Sequence, residues 1–286
     1  MSTITAAAVN ELRKRTDMPM MECKKALQET NGDMEKAIEW LRSQNSKMQA
    51  KRALNETAEG RIGIYVDPAT ENAAIIEMRC ESAPVAKSEQ FIALAYDLAR
   101  AVAENNPESL DQFLTQPVSG TTGTVTDRIN EVIGLIRENM RVQRFRRLQG
   151  GVFGSYIHHD GTLGVLLQLK GSGGNPEVLR DVCAHIAALN PVYAKSEDVP
   201  ADIIAKEKEI ALQQIQADPK NAGKPANILD KIVEGKLKTW AGENVLLEQP
   251  IANQAKYDKK TVGQLLKAEG LELVGYVRYK VGEVTV

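Results

Sequence analysis

The sequence predicts an α+β protein assembled from modules, and three observations carry that prediction. Three short amphipathic helical stretches crowd the N-terminus, two middle segments repeat one another as strand, turn, strand and helix, and two helices joined by a Pro/Gly-rich loop interrupt the last third.

The first helix is expected from about Thr5 to Arg15, with Ala8, Val9 and Leu12 on one stripe. After the break at Asp17 to Pro19, Pro19 falls where a first helical turn tolerates a missing N–H, and Met20, Cys23 and Leu27 share a face. The pair Asn31-Gly32 ends that helix, Asp33 caps the next, and Met34, Ile38 and Leu41 form the third stripe. A bundle this small buries little, which suits a docking module. The polar stretch from Arg42 to Gly60, with Lys47, Lys51 and Arg52, reads as a linker that could be helical.

The repeat is the most informative feature read from residues alone. At an offset of 91 residues Gly60, Gly63 and Tyr65 coincide with Gly151, Gly154 and Tyr156. Ile75-Ile76-Glu77-Met78-Arg79 coincides in the same way with Leu166-Leu167-Gln168-Leu169-Lys170. The turns fall at Asp67-Pro68-Ala69-Thr70 and His158-His159-Asp160-Gly161, and the helices from Phe91 to Ala103 and from Pro176 to Leu189. Two related subdomains with antiparallel sheets follow. Between them lie helical segments near Leu110 and from Val125 to Met140, then a basic strand from Arg141 to Leu148.

Past Asn190-Pro191 the texture changes. Pro200 to Ala217 and Ala226 to Trp240 read as an antiparallel helical hairpin, a candidate interaction arm. A short helix opens at Thr261, and Leu271 to Val281 alternates as a closing strand that returns to the second sheet. The expected divisions are 1–54 for the bundle with its linker, 55–148 for the first subdomain, 149–195 with 243–286 for the second, and 196–242 for the hairpin insertion.

Composition narrows the function classes. With 36 Lys plus Arg against 38 Asp plus Glu the net charge is −2, which argues against a coat for nucleic acid or anionic membrane. The apolar run from Leu163 to Leu169 is far below the ~20 residues of a bilayer span, so no membrane partner is expected. Glu11, Arg13, Lys14 and Arg15 follow the first apolar residues too closely for an export signal. Cys23, Cys80 and Cys183, odd in number and dispersed, suit buried free thiols in a reducing cytosol. A soluble cytoplasmic protein is expected.

Chemistry-bearing patterns are sparse. His158 and His159 sit in a hairpin turn, His185 in a helix, and no Ser-His-Asp order, HExxH or CxxC pairing accompanies them. No catalytic residue, metal site or cofactor is expected. Lys170-Gly171-Ser172-Gly173-Gly174 lacks the Gly-Lys-Ser/Thr ending of a phosphate loop and reads as a strand-to-helix connection. Strand alternation would divide Arg141, Arg144, Arg146 and Arg147 between two faces, so an edge strand protected by charge is expected there rather than direct nucleic-acid binding.

Several segments nevertheless form a recognisable set. Met20-Met21-Glu22-Cys23-Lys24-Lys25-Ala26-Leu27, preceded by Leu12-Arg13-Lys14-Arg15-Thr16 and followed by Asn31-Gly32-Asp33 and Ala37-Ile38, resembles the N-terminal signature of the bacterial elongation factor Ts family. Cys80-Glu81-Ser82-Ala83-Pro84-Val85-Ala86-Lys87 is similar to the second signature, Cys-x-Thr-Asp-Phe-Val-Ala-Lys. Gly154-Ser155-Tyr156 with His158, Val233-Glu234-Gly235-Lys236 and Thr261-Val262-Gly263-Gln264-Leu265-Leu266-Lys267 follow in family order, over nearly the whole chain.

The resemblance implies a translation factor that binds elongation factor Tu, GDP-bound and nucleotide-free, and promotes exchange of GDP for GTP. It implies a ubiquitin-associated-like three-helix domain, two related α+β subdomains and a helical-hairpin insertion. Arg13, Met20 and Met21 would press on the partner near its nucleotide pocket, Lys51 or Arg52 stands where the family has linker lysines, and His158 matches the family's core histidine. Ser82, Ala83, Pro84 and Val85 occupy the loop that disturbs the partner's magnesium site. Here the chain departs from the pattern, because Ala83-Pro84 replaces Asp-Phe and supplies neither a carboxylate nor an aromatic wedge. The expectation is that magnesium displacement leans less on this loop and more on the N-terminal helices and His158. A non-exchanging scaffold or ribosome- or RNA-associated binding protein on the same fold is the competing expectation. Many members continue into a C-terminal helix whereas this chain stops at Val286, so that contact is expected to be missing or replaced. The hairpin could also serve self-association.

Overall fold

Helices form where apolar residues recur every three or four positions and strands where they alternate, in the order the repeat predicts. The computed structural model describes residues 4–16, 18–221 and 224–283. Helices α1 (Ala6–Thr16), α2 (Met20–Glu29) and α3 (Met34–Arg52) pack around Leu12, Cys23, Ala26, Leu27, Ala37 and Leu41. Asn31 and Gly32, at φ 53° and 87°, end α2, and the Asp33 carboxylate accepts the Lys36 N–H at 3.1 Å to start α3. The polar linker is the continuation of α3, helical as far as Arg52.

The first copy of the repeat is β1 (Glu59–Asp67), β2 (Asn72–Cys80), the single turn α4 (Ala83–Ala86) and α5 (Glu89–Asn105). It is followed by α6 (Leu110–Thr115), α7 (Val125–Ile136) and β3 (Met140–Gln149). The second copy is β4 (Val152–Ile157), β5 (Leu163–Lys170) and α8 (Pro176–Leu189). Helices α9 (Ala201–Ala217) and α10 (Ala226–Asn244) form the hairpin, and α11 (Gln254–Tyr257), α12 (Val262–Ala268) and β6 (Glu272–Lys280) follow. Two three-stranded sheets result, ordered β1-β2-β3 and β4-β5-β6.

Repeated glycines have repeated reasons. A Cβ at Gly60 would lie 2.2 Å from the Met78 carbonyl oxygen, and one at Gly151 would lie 2.2 Å from that of Leu169, the equivalent residue. A Cβ at Gly63 would meet the Ala95 carbonyl oxygen on α5 at 2.3 Å, and one at Gly154 the Cys183 sulfur on α8 at 3.1 Å. Both copies need bare backbone where the helix crosses the first strand.

Two local departures from the sequence reading have clear causes. Helix α7 stops at Ile136, short of the expected Met140, because Arg137 turns into the left-handed region at φ 66° while its N–H still reaches the Ile133 carbonyl. In β3 the pairing shifts between Glu77 and Met78, which face Arg144 and Val142, so Gln143 is an extra residue in a bulge. The bulge turns Arg144 to the same side as Arg141 instead of leaving them on opposite faces. Three of the four arginines have partners within the fold: Arg144 contacts the buried Glu77 carboxylate at 2.7 Å, Arg147 the Ala103 carbonyl at 2.9 Å, and Arg141, itself exposed, the Thr57 hydroxyl at 2.8 Å; Arg146 is exposed.

The chain divides into two units. One contains the residues up to Gln149, Ile157–Gly164 and those from Tyr279 on; the other contains Gly150–Tyr156 and Val165–Arg278. The core of the first is the face of β2 carrying Ile76 and Met78, covered by Phe91, Leu94 and Leu98 of α5 and Ile133 of α7. In the second, α9 and α10 bury Ala211, Ile215 and Val233 between them and leave Ile204, Leu212 and Ile228 exposed.

Candidate functional site

All of the expected contact residues, Arg13, Met20, Met21, Lys51, Arg52, His158 and the segment from Ser82 to Val85, lie in the first unit. Met20 and Met21 open α2 with 50% and 71% of their surface exposed, while Cys23, Ala26 and Leu27 take that helix's inward positions. The methionine pair therefore has no core duty and offers adaptable apolar surface. Arg13, also exposed, lies close enough to Cys23 to oppose the rise in thiol pKa that burial causes.

The methionine helix packs on α1 and α3, and α3 in turn packs on α7. Glu22, one position beyond the pair, meets Arg137 at 2.9 Å. Asn45 of α3 is buried over Gly134 of α7, where a Cβ would come within 2.1 Å of the amide oxygen. Arg42 reaches the Thr122 hydroxyl at 2.9 Å. A cleft of about 480 Å³, walled by Arg15, Ile38, Arg42, Glu89 and Arg128, separates the remaining surfaces.

The loop after β2 is braced from below and open above. Ser82 donates its N–H to Glu138 Oε2 at 3.1 Å and its hydroxyl to Oε1 at 2.7 Å. Ala83 and Pro84 stand exposed on α4, where a proline in the first turn costs no helical hydrogen bond. Val85 is half-buried, and its carbonyl accepts the Ser88 hydroxyl at 2.8 Å. At the base of the loop Glu81 accepts from Arg52 at 3.2 Å, from the Asn55 amide at 3.0 Å and from the Asn139 N–H. Burial alone would raise the Glu81 carboxyl, but these donors hold it below its ordinary value. Arg52 is thus committed to the loop, whereas Lys51 remains exposed.

His158 is half-exposed in the β4–β5 turn, its ring 4.3 Å from that of His159. The turn is fastened to β1: the Ile62 N–H donates to the Gly161 carbonyl at 2.9 Å. Beside that bond, Arg61 donates to the Ala86 carbonyl at the end of α4, at 3.5 Å. Its guanidinium also packs where a Cβ on Gly161 would fall 2.5 Å away. Burial works against the Arg61 charge, and Asp160 offsets part of that cost. Arg61 therefore stands between the two segments that the sequence singles out.

Nothing in this arrangement is built for covalent chemistry. The three thiols are buried and free; burial pushes Cys80 up to about 12 and raises Cys23 and Cys183, so none is an activated nucleophile. Among the described residues no cluster of His, Cys, Asp or Glu could hold a metal ion, and no helix is long and apolar enough to cross a membrane. What the unit presents is a divided surface: an apolar pair on α2, a compact tip on α4 and a histidine turn.

Sequence reasoning missed the braces: Glu22, Arg61, Glu81, Arg137, Glu138 and Asn139. Their partners lie up to 115 residues away, and no local period marks them. The weak signal available was Glu22 and Glu81 lying inside the two family-like signatures.

Known proteins resemble this chain over nearly its whole length. A family model described as "Elongation factor TS" matches residues 81–283, and one described as "Elongation factor Ts, mitochondrial, N-terminal" matches residues 1–56. The chain is 42% identical over 285 residues to "Elongation factor Ts" of Methylococcus capsulatus, with 98% of this chain and 93% of the relative covered. At the same coverage it is 40% identical over 291 residues to the protein of that name from Clostridium perfringens and 39% over 284 residues to that from Thioalkalivibrio sulfidiphilus.

Proposed function

The chain belongs to the elongation factor Ts family, the nucleotide exchange factors of elongation factor Tu, and from that premise we propose how its own residues carry out exchange. Met20 and Met21, with Arg13 beside them, grip the partner near its nucleotide pocket. The Ser82–Val85 tip and His158 meet it elsewhere, and Lys51 extends the contact along the linker while Arg52 stays on Glu81. No covalent step is needed. A GTPase holds GDP through phosphate and magnesium contacts, and a protein that binds the emptied form more tightly weakens GDP by the same factor.

Magnitudes decide how the work divides. A ~10⁴-fold acceleration needs about 5.5 kcal/mol of differential stabilisation. Fully burying one methionine contributes about 1.5–3 kcal/mol, and an exposed ion pair about 0.2–1 kcal/mol. The methionines are the strongest single contributor, and no one contact suffices. Ala83-Pro84 keeps a rigid apolar tip but offers no carboxylate for the magnesium region, so displacement there relies more on α2 and His158.

The observation that carries this reading is the exposed methionine pair at the start of α2, held by Glu22 on Arg137 in the same unit as the tip and the histidine turn. Release of fluorescent GDP from elongation factor Tu tests it. Acceleration on adding this chain is expected; binding without acceleration would establish a non-exchanging scaffold instead. Internal hydrogen bonds hold Arg144 and Arg147, half-buried, and the exposed Arg141, which leaves Arg146 as the outward arginine of the run and disfavours a function in RNA binding.

The four divisions 1–54, 55–148, 149–195 with 243–286, and 196–242 are proposed as the working modules. The cytoplasm is proposed as the place of work. Self-association through the hairpin is proposed from exposed Ile204, Leu212 and Ile228; a wild-type chain that sediments as a monomer, or an Ile204→Lys/Ile228→Lys variant that self-associates as the wild type does, would count against it.

A further inference from the structure

Three consecutive residues after α7 reach the methionine helix, the base of the tip and the end of the linker. Arg137 holds Glu22 on the methionine helix at 2.9 Å. Glu138 takes both the N–H and the hydroxyl of Ser82, at 3.1 and 2.7 Å, directly below Ala83 and Pro84. Asn139, itself buried, gives its N–H to Glu81 and its amide to the Asn55 carbonyl at 2.9 Å, which fixes the end of the linker.

We propose that the Arg137-Glu138-Asn139 turn is a positioning element for exchange: it holds the methionine-bearing helix and the Ala83-Pro84 tip in one fixed relation, so that both engage the partner at once. The proposal rests on the functional reading above and names residues that act through others rather than by touching the partner's nucleotide.

Two features separate this role from simple stabilisation. Arg137 and Glu22 are 52% and 32% exposed, and a pair that open contributes little to folding. Arg137 also adopts a left-handed backbone, φ 66°, which glycine or asparagine would take with less strain. An arginine there has a use that backbone geometry does not require: its head reaches across to α2. Simultaneous engagement is where such a tie counts. Contacts on separately mobile supports each carry their own ordering cost, whereas contacts on one rigid support share it. A displacement of about 1 Å in one support can cost ~10²-fold in a positioned reaction.

The test is a charge-reversal cycle on the full chain. Glu22→Arg and Arg137→Glu are each expected to slow the maximal rate of stimulated GDP release about three- to tenfold, with little change in the concentration giving half the effect. The double variant is expected to return to within twofold of wild type, and all thermal midpoints to agree. Single variants at the wild-type rate, or a double variant as slow as the singles, would overturn the proposal. An arm without the partner uses amide hydrogen exchange of the free chain. Glu22→Arg should speed exchange of the Ala86, Lys87 and Ser88 amides, which bond back to the tip, several-fold, and unchanged exchange there overturns the coupling. Failure of the wild-type chain to accelerate GDP release would instead strike the functional reading, leaving the amide measurement to judge the turn.

Discussion

Met20 and Met21 are both turned to solvent because Cys23, Ala26 and Leu27 already fill the inner face of α2. Replacing both by alanine therefore removes surface that only a partner would bury. The expected result of Met20→Ala/Met21→Ala is a drop of about 10- to 100-fold in stimulated GDP release, with an unchanged thermal midpoint. Ala83→Asp/Pro84→Phe restores the family-like tip on a loop whose base is already held by Glu81 and Glu138; its effect is expected to stay below about fivefold, since the grip lies elsewhere. Should the methionine pair prove silent and the tip change alter exchange by orders of magnitude, the division of labour is reversed.

Among the elements, α8 carries a titrating group whose protonation state is set by its neighbours. The Ala252 N–H donates to His185 Nδ1 at 3.1 Å, which leaves the ring proton on Nε2 for Gln249 Oε1 at 2.8 Å. Gln249 is oriented in turn by its own donation to the Glu243 carbonyl at 2.8 Å. Burial lowers the His185 pKa below its ordinary 6.5, more strongly than the Gln249 contact raises it. The unfolded ring takes up a proton below that ordinary value and the folded ring does not. Stability is thus complete above pH 6.5 and falls as pH drops from there towards the folded pKa, by at most about 1.4 kcal/mol per pH unit. Thermal melts between pH 7.5 and 5 should show this fall in the wild type and a shallower one in His185→Gln; parallel curves would remove His185 as the cause. The repeat that places α5 and α8 was legible in the sequence because both copies solve one local problem with the same glycines. The end of α7 was not. Arg137, Glu138 and Asn139 are no helix breakers, and their purpose appears only when residues 115 and 56 positions away arrive beside them.

For the whole molecule, recognition of the family rested on short signatures, while the geometry that unites those of the first unit rests on long-range contacts such as Arg61 between α4 and the histidine turn. That union is a thermodynamic claim as well as a structural one. If this chain and GDP compete through the partner's conformation, the factor by which the chain prefers the vacant partner must equal the factor by which it weakens GDP. Calorimetric titration of the chain into vacant and GDP-loaded elongation factor Tu gives the first factor. Displacement of labelled GDP at saturating chain gives the second. Agreement within about twofold, at a ratio well above ten, is the expected outcome. Equal affinity for the two forms would mean that the exposed methionines, the tip and His158 bind without discriminating. A ligand with no differential affinity shifts no equilibrium however tightly it holds, so the footprint would then account for attachment to the partner and leave GDP release without a cause.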